Sequence, residues 1–187
     1  DPPADPPPAD PVDPPASVPF VLPPKILINE ILPNPAEGSE WIELFNPATS
    51  TADLSGWSLR DGIGQIVSLS GEIEPGYWLY TLNSAKLNNS GDKIFLKFYD
   101  QIIDQVAYGN WQDEEASDNA PCPGQAESLA RSPAGADSDN DFQDFKITTA
   151  PTPGRENQII TPQSEPEPAP VLSPTPPASP VTAAPVE

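Results

Sequence analysis

Between residues 25 and 158 the chain sets short apolar runs between clusters of Pro, Gly, Asn and Asp, a pattern that predicts strands. Ile26, Leu27, Ile28, Ile31 and Leu32 make a first strand, interrupted by Asn29 and Glu30. Residues 41–45 alternate to make a second, with turn chemistry from Asn34-Pro35 through Gly38 between them. Residues 53–59 read as a third strand entered through a turn, and residues 65–69 as a fourth between Gly64 and Gly71. Pro75-Gly76 then precedes a fifth at residues 77–82. Residues 88–92 turn into the run 93–99, where Ile94, Leu96 and Phe98 face one way and Lys93, Lys97 and Tyr99 the other. Asp100-Gln101 joins this run to residues 102–108 as a hairpin. After Gly109 an acidic loop intervenes, and the pattern resumes at residues 128–131 and 145–148.

No window sustains helical periodicity. Short strands spaced roughly 8–12 residues apart predict an all-β fold, a β-sandwich. A block of about 130 residues buries a core without help from disulfides. Trp41, Trp57, Trp78, Phe45, Phe95 and Tyr108 are the expected large core side chains, and Trp111 is expected to stay half exposed. Glu30 and Glu43 sit in otherwise apolar strands. Either they face solvent, the simpler reading, or they turn inward and need donors such as backbone amides or Arg131.

Proline divides the chain. Of 29 prolines, eleven fall in residues 1–24 and nine in residues 161–187. These ends mix Pro with Ala, Asp, Glu, Ser and Thr and have little to bury, so they read as disordered arms biased to polyproline II. The organisation expected is an arm at 1–24, a folded domain at 25–158 and an arm at 159–187. At about 3.1 Å per residue each arm is a semi-rigid spacer. Arms that serve proline-recognising domains are the weaker reading, because no basic residue flanks Pro174–Pro177. Pro/Ser/Thr/Ala spacers beside a compact β domain suit an exported surface protein.

Charge changes the list of partners. Eight Lys and Arg stand against 28 Asp and Glu, a net −20, and the eight cations are scattered. A polyanion is repelled by such a chain, which disfavours nucleic acid. The absence of His removes Ser-His and Cys-His nucleophile pairs, and the single Cys122, between Pro121 and Pro123, reads as a free thiol. The chemistry therefore points away from an enzyme, and no cofactor is implied. No apolar run approaches the roughly 18 residues of a membrane span. Opening on Asp1, the chain reads as a mature product or a piece of something longer.

One stretch carries metal-ligand spacing. Asp137, Asp139, Asp141 and Asp144 place acids at alternating and nearby positions of one loop, and hard oxygens in that order suit calcium. The loop fails as an EF-hand, since Phe142 and Thr148 stand where Gly and Glu are needed. An ordinary acidic loop is the competing reading. Residues 113–115 and Asp118 read as a solvated acidic loop.

In order, residues 28–31, 40–46, 53–59, 90–94, 103–106, 128–131, 141–142 and 152–157 resemble a lamin-tail domain of prokaryotic type, flanked by its Pro-rich arms. The resemblance implies an immunoglobulin-like sandwich that acts by binding or tethering. It lacks the coiled-coil rod of a lamin filament. The function expected is a non-catalytic binding or tethering module of a secreted or cell-surface bacterial or archaeal protein, contacting a protein or a cell-envelope glycan. The alternative is a structural spacer that separates neighbouring modules such as a hydrolase.

Overall fold

The computed structural model describes residues 22–82 and 86–161. Most of the two Pro-rich arms therefore lies outside the described residues. Eleven strands form: β1 (Leu27–Leu32), β2 (Trp41–Asn46), β3 (Ala52–Asp53), β4 (Trp57–Asp61), β5 (Gln65–Ser68), β6 (Glu72–Ile73), β7 (Gly76–Thr81), β8 (Gly91–Phe98), β9 (Gln101–Gly109), β10 (Ser128–Arg131) and β11 (Phe145–Thr148). One sheet runs β11-β10-β1-β2-β7, the other β5-β4-β8-β9, and β3 and β6 pair as a small ribbon. All the named strand pairs are antiparallel. The core lies between the two sheets, as in an immunoglobulin-like sandwich.

The alternation read from the sequence builds that core. Ile28 and Ile31 of β1, Ile42 and Leu44 of β2, Leu59 of β4, Ile94 and Leu96 of β8, Val106 and Tyr108 of β9 and Leu129 of β10 are buried against one another. Each supplies on the order of 1.5–3 kcal/mol of transfer free energy. Trp57 and Tyr108 are fully buried core rings, and Trp78 packs on the core while partly exposed. Phe45 and Phe95 are only half-buried and stand outside the core cluster, because each lies one position out of phase with the inward set of its strand.

Two predicted strands are built differently. Asn29 and Glu30 do not interrupt β1. The register against β2 shifts between Ile28 and Glu30, so Asn29 is the extra residue of a bulge inside one continuous strand. Residues 53–59 split into β3 and β4, because Asp53 Oδ1 accepts the Ser55 amide and hydroxyl and Gly56 takes φ +83°. That turn redirects the chain and delivers Trp57 to the second sheet. The Gly56 carbonyl then accepts the Tyr99 amide at 2.7 Å.

The sheet edges are treated unequally. On the outer side of β9, the Ala107 amide donates to Asp141 at 2.7 Å, the Ala107 carbonyl accepts from Ala120, and the Gly109 amide donates to the Ala120 carbonyl. The Gln105 amide is taken by Asp104. Beyond β11, the Thr149 amide donates to the Ile160 carbonyl and the Thr148 hydroxyl to that of Gln158. β5 is four residues long. On β7, six regular pairs with β2 use one side of the strand, and none of Gly76–Thr81 has a second backbone partner among the described residues.

Candidate functional site

The densest polar chemistry surrounds Arg131, which is 1 % exposed at the end of β10. Its Nε donates to the Ile28 carbonyl at 2.9 Å, and one terminal nitrogen donates to the Ala136 carbonyl at 2.7 Å and to Asp144 at 3.4 Å. The other reaches both oxygens of Asp104 at 3.1 and 3.2 Å. The guanidinium lies over the Phe145 ring, 4.5 Å from its centroid. Asp104 also accepts the Ile28 amide at 2.6 Å. One planar fork thus ties β1, β9, β10 and the loop before β11 together. Its five donors in fixed directions are what make Arg the fitting residue there.

Beside it opens a cleft of about 360 Å³ whose charged lining is Lys93, Asp104, Glu115, Asp118, Asp137, Asp139 and Asp141. Burial pushes the Asp104 carboxyl up to about 6, against the opposing pull of Arg131. Burial likewise pushes Asp141 up to about 7, although the Ala107 amide favours its ionised form. At neutral pH Asp104 is still mostly ionised, as its guanidinium partner requires.

Of the four aspartates singled out as calcium ligands, Asp137, Asp139 and Asp141 line this cleft, while Asp137, Asp141 and Asp144 have partners in the chain. Asp137 faces Lys25 at 3.4 Å and Arg131 at 3.5 Å. Asp144 is 3.4 Å from Arg131 and accepts both the amide and the hydroxyl of Ser138 at 2.8 Å. Asp141, the first residue of a single helical turn (Asp141–Asp144, α1), seals the edge of β9. Asp139 sits at φ +56° on the rim of the cleft. Among the described residues, no three His, Cys, Asp or Glu side chains are grouped to hold a metal ion.

Residues 113–115 are more than a solvated loop. Lys93 is buried to 8 % exposure on β8, and its ammonium meets Asp113 at 2.9 Å and Glu115 at 3.4 Å. Trp111 is half-buried, as expected; it donates to Asp113 at 2.9 Å, and its ring covers Gly62. Cys122 is a free, exposed cysteine.

Glu30 and Glu43 overturn the solvent-facing reading: both are fully buried, side by side on β1 and β2. Their donors come from a strap, residues 149–160, that crosses the outer face of the five-stranded sheet. Thr152 gives Glu30 its amide and its hydroxyl, and Ser128 adds a second hydroxyl. Gly154 gives Glu43 its amide, and Asn29 adds its side-chain amide at 2.7 Å. Asn157 binds the Asn29 side chain and the Arg131 carbonyl. Arg131 serves neither glutamate. Burial raises Glu43 to about 7, opposed by the Gly154 amide and Asn29, and with a smaller upward push from Glu30. The mid-strand glutamates were visible in the sequence, but their strap donors, Thr152 for Glu30 and Gly154 for Glu43, lie 122 and 111 residues downstream.

No helix among the described residues is long and apolar enough to cross a membrane. No curated protein and no solved structure matches the chain. Residues 22–110 match the family model of the lamin tail domain. That span runs from the first described residue to just past β9. β10, β11 and the strap lie beyond it, yet β10 and β11 complete the same five-stranded sheet. Residues 22–110, within this immunoglobulin-like sandwich, are lamin tail domain sequence.

Proposed function

We propose that the chain is a non-catalytic binding or tethering module of a secreted or cell-surface bacterial or archaeal protein, its sandwich carried between Pro-rich arms. The observation that carries this reading is where the buried charge goes. Glu30, Glu43, Asp104, Asp144 and Arg131 all hold strands, a loop or the strap in place. A buried charge already committed to several fixed partners cannot also cycle through a reaction without breaking them. What remains for a ligand is the surface. The composition of the two arms supports an exposed location, since Pro-, Ala-, Ser- and Thr-rich spacers hold a module clear of its attachment.

The test is saturable capture of cell-envelope proteins and glycans by the immobilised 187-residue chain. Binding that saturates and is lost on altering one surface patch supports the reading. Uniform failure across low and high salt assigns the chain to the alternative, a spacer between neighbouring modules. Labelling of the chain on intact, unpermeabilised cells is expected; detection only after lysis would contradict the surface location.

A further inference from the structure

We propose that the free edge of β7 receives an extended, positively charged peptide from another protein, added to the five-stranded sheet as a sixth strand. This rests on the binding-module reading and names its site and the chemistry of its partner.

An open strand edge is a row of unpaired amides and carbonyls, and folded proteins block such edges with bulges, prolines, lysines or covering segments. This sandwich does so at β9 with Asp104, Asp141 and Ala120, and at the end of β11 with residues 158–160. Among the described residues β7 has none of these devices: it holds no Lys and no Pro, and its register against β2 runs unbroken from Thr81 to Gly76. The Leu82 amide donates to the Glu40 carbonyl. By antiparallel alternation, the backbone groups of Tyr80 and Trp78 then also face β2, and those of Tyr77, Leu79 and Thr81 face away. Three residues thus offer ladder positions to an incoming strand.

The occupant follows from charge and from proline. Glu72 and Glu74 line a cleft with Pro75, Tyr77 and Trp78 at the start of the strand. Glu156 is close enough to help raise the Tyr77 phenol, behind the larger effect of burial. Arg155 is the cation next to Glu156 in sequence. Three glutamates thus stand against one arginine, and a second copy of the chain docked edge to edge would bring the same glutamates against one another. The chain's own arms are poor strands, with eleven prolines in residues 1–24 and nine in residues 161–187, since proline cannot donate to a ladder. A strand from another chain, carrying Lys or Arg beside apolar residues, answers both constraints.

The probe is a fluorescein-labelled (Lys-Val)4 peptide titrated with the full chain, alongside a copy N-methylated at every residue. N-methylation keeps the charge and removes the donors of both peptide edges. We expect saturable binding of the plain peptide, at least about tenfold weaker binding of the methylated one, and a similar loss for Glu72→Lys/Glu74→Lys. Leu79→Pro, which deletes an outward amide, should abolish binding, with far-ultraviolet circular dichroism to check folding; the glutamate variant carries the test if it does not fold. Equal binding of the two peptides overturns the proposal in favour of unspecific charge attraction. A dimer that Leu79→Pro abolishes overturns it in favour of a second copy. Tighter peptide binding after deleting residues 1–21 or 162–187 overturns it in favour of the chain's own arm. Capture of envelope material that survives Leu79→Pro removes this edge while leaving the binding-module reading intact.

Discussion

Glu30 and Thr152, 122 positions apart, are joined three times: the Thr152 hydroxyl meets one carboxylate oxygen at 2.8 Å, and its amide meets both at 3.1 Å. This contact fixes the strap to β1. Glu30→Ala would leave the Ser128 hydroxyl and the Thr152 amide buried without an acceptor. A loss of about 2–4 kcal/mol is expected in urea unfolding of the full chain, from two or more orphaned donors at about 1–3 kcal/mol each, less partial relaxation. Truncation after Ala150 should destabilise at least as much, and truncation after Thr161 much less.

Glu43 sets a pH dependence of unusual sign. Its folded value, about 7, lies above the 4.5 of an ordinary glutamate. A carboxyl raised on folding binds its proton more tightly in the native state. Its contribution is therefore full below pH 4.5 and is lost as pH climbs through about 7. At about 1.4 kcal/mol per pH unit, that interval amounts to about 3 kcal/mol. Asp104 and Asp141, also raised, push in the same direction. Urea midpoints should fall between pH 5 and pH 8, and Glu43→Gln should flatten that slope. An unchanged slope in the variant would remove Glu43 as its source.

Arg131 cannot be replaced by a cation of another shape. Arg131→Ala strands Asp104 and Asp144 without their cation, and a loss of about 3–5 kcal/mol is expected. Arg131→Lys should recover little, because one ammonium cannot span the Ile28 and Ala136 carbonyls and two carboxylates. Full recovery by Lys, measured by thermal unfolding, would show that charge alone matters.

Gly38 and Gly56 share φ +83°, but a side chain at Gly38 meets open space while one at Gly56 meets the Tyr99 ring at 2.7 Å. Gly38→Ala should cost about 1 kcal/mol from backbone strain. Gly56→Ala should cost more, and adding Tyr99→Ala should remove the excess. That coupling is read from a double-mutant cycle.

The strands were legible because burial on one face writes a period of two into the sequence, as Ile94, Leu96 and Phe98 show. The split at Gly56 was not, since Leu54, Trp57 and Leu59 read as one strand's apolar positions while an Asp53–Ser55 turn breaks the direction. The buried acids were the least legible part. A glutamate between apolar neighbours looks the same whether it meets water or a strap, and the strap's Thr152 and Gly154 look like ordinary chain punctuation. The aspartates of residues 137–144 showed their spacing but not their partners. Lys25, Arg131 and Ala107 approach them only through long-range strand pairing.

The strap also fixes how the domain bears load. The chain enters the sheet at β1 and leaves across the outer face of β1 and β2, held there by Thr152 on Glu30 and Gly154 on Glu43. Tension drawn between residues 25 and 161 would meet the bonds of Ile160 and Gln158 to Thr149 and Thr148, and then those two contacts, before it reached the strand ladders behind them. A module strung between two spacers would then yield first at its clasp, lengthening by a dozen residues while the sandwich stays shut.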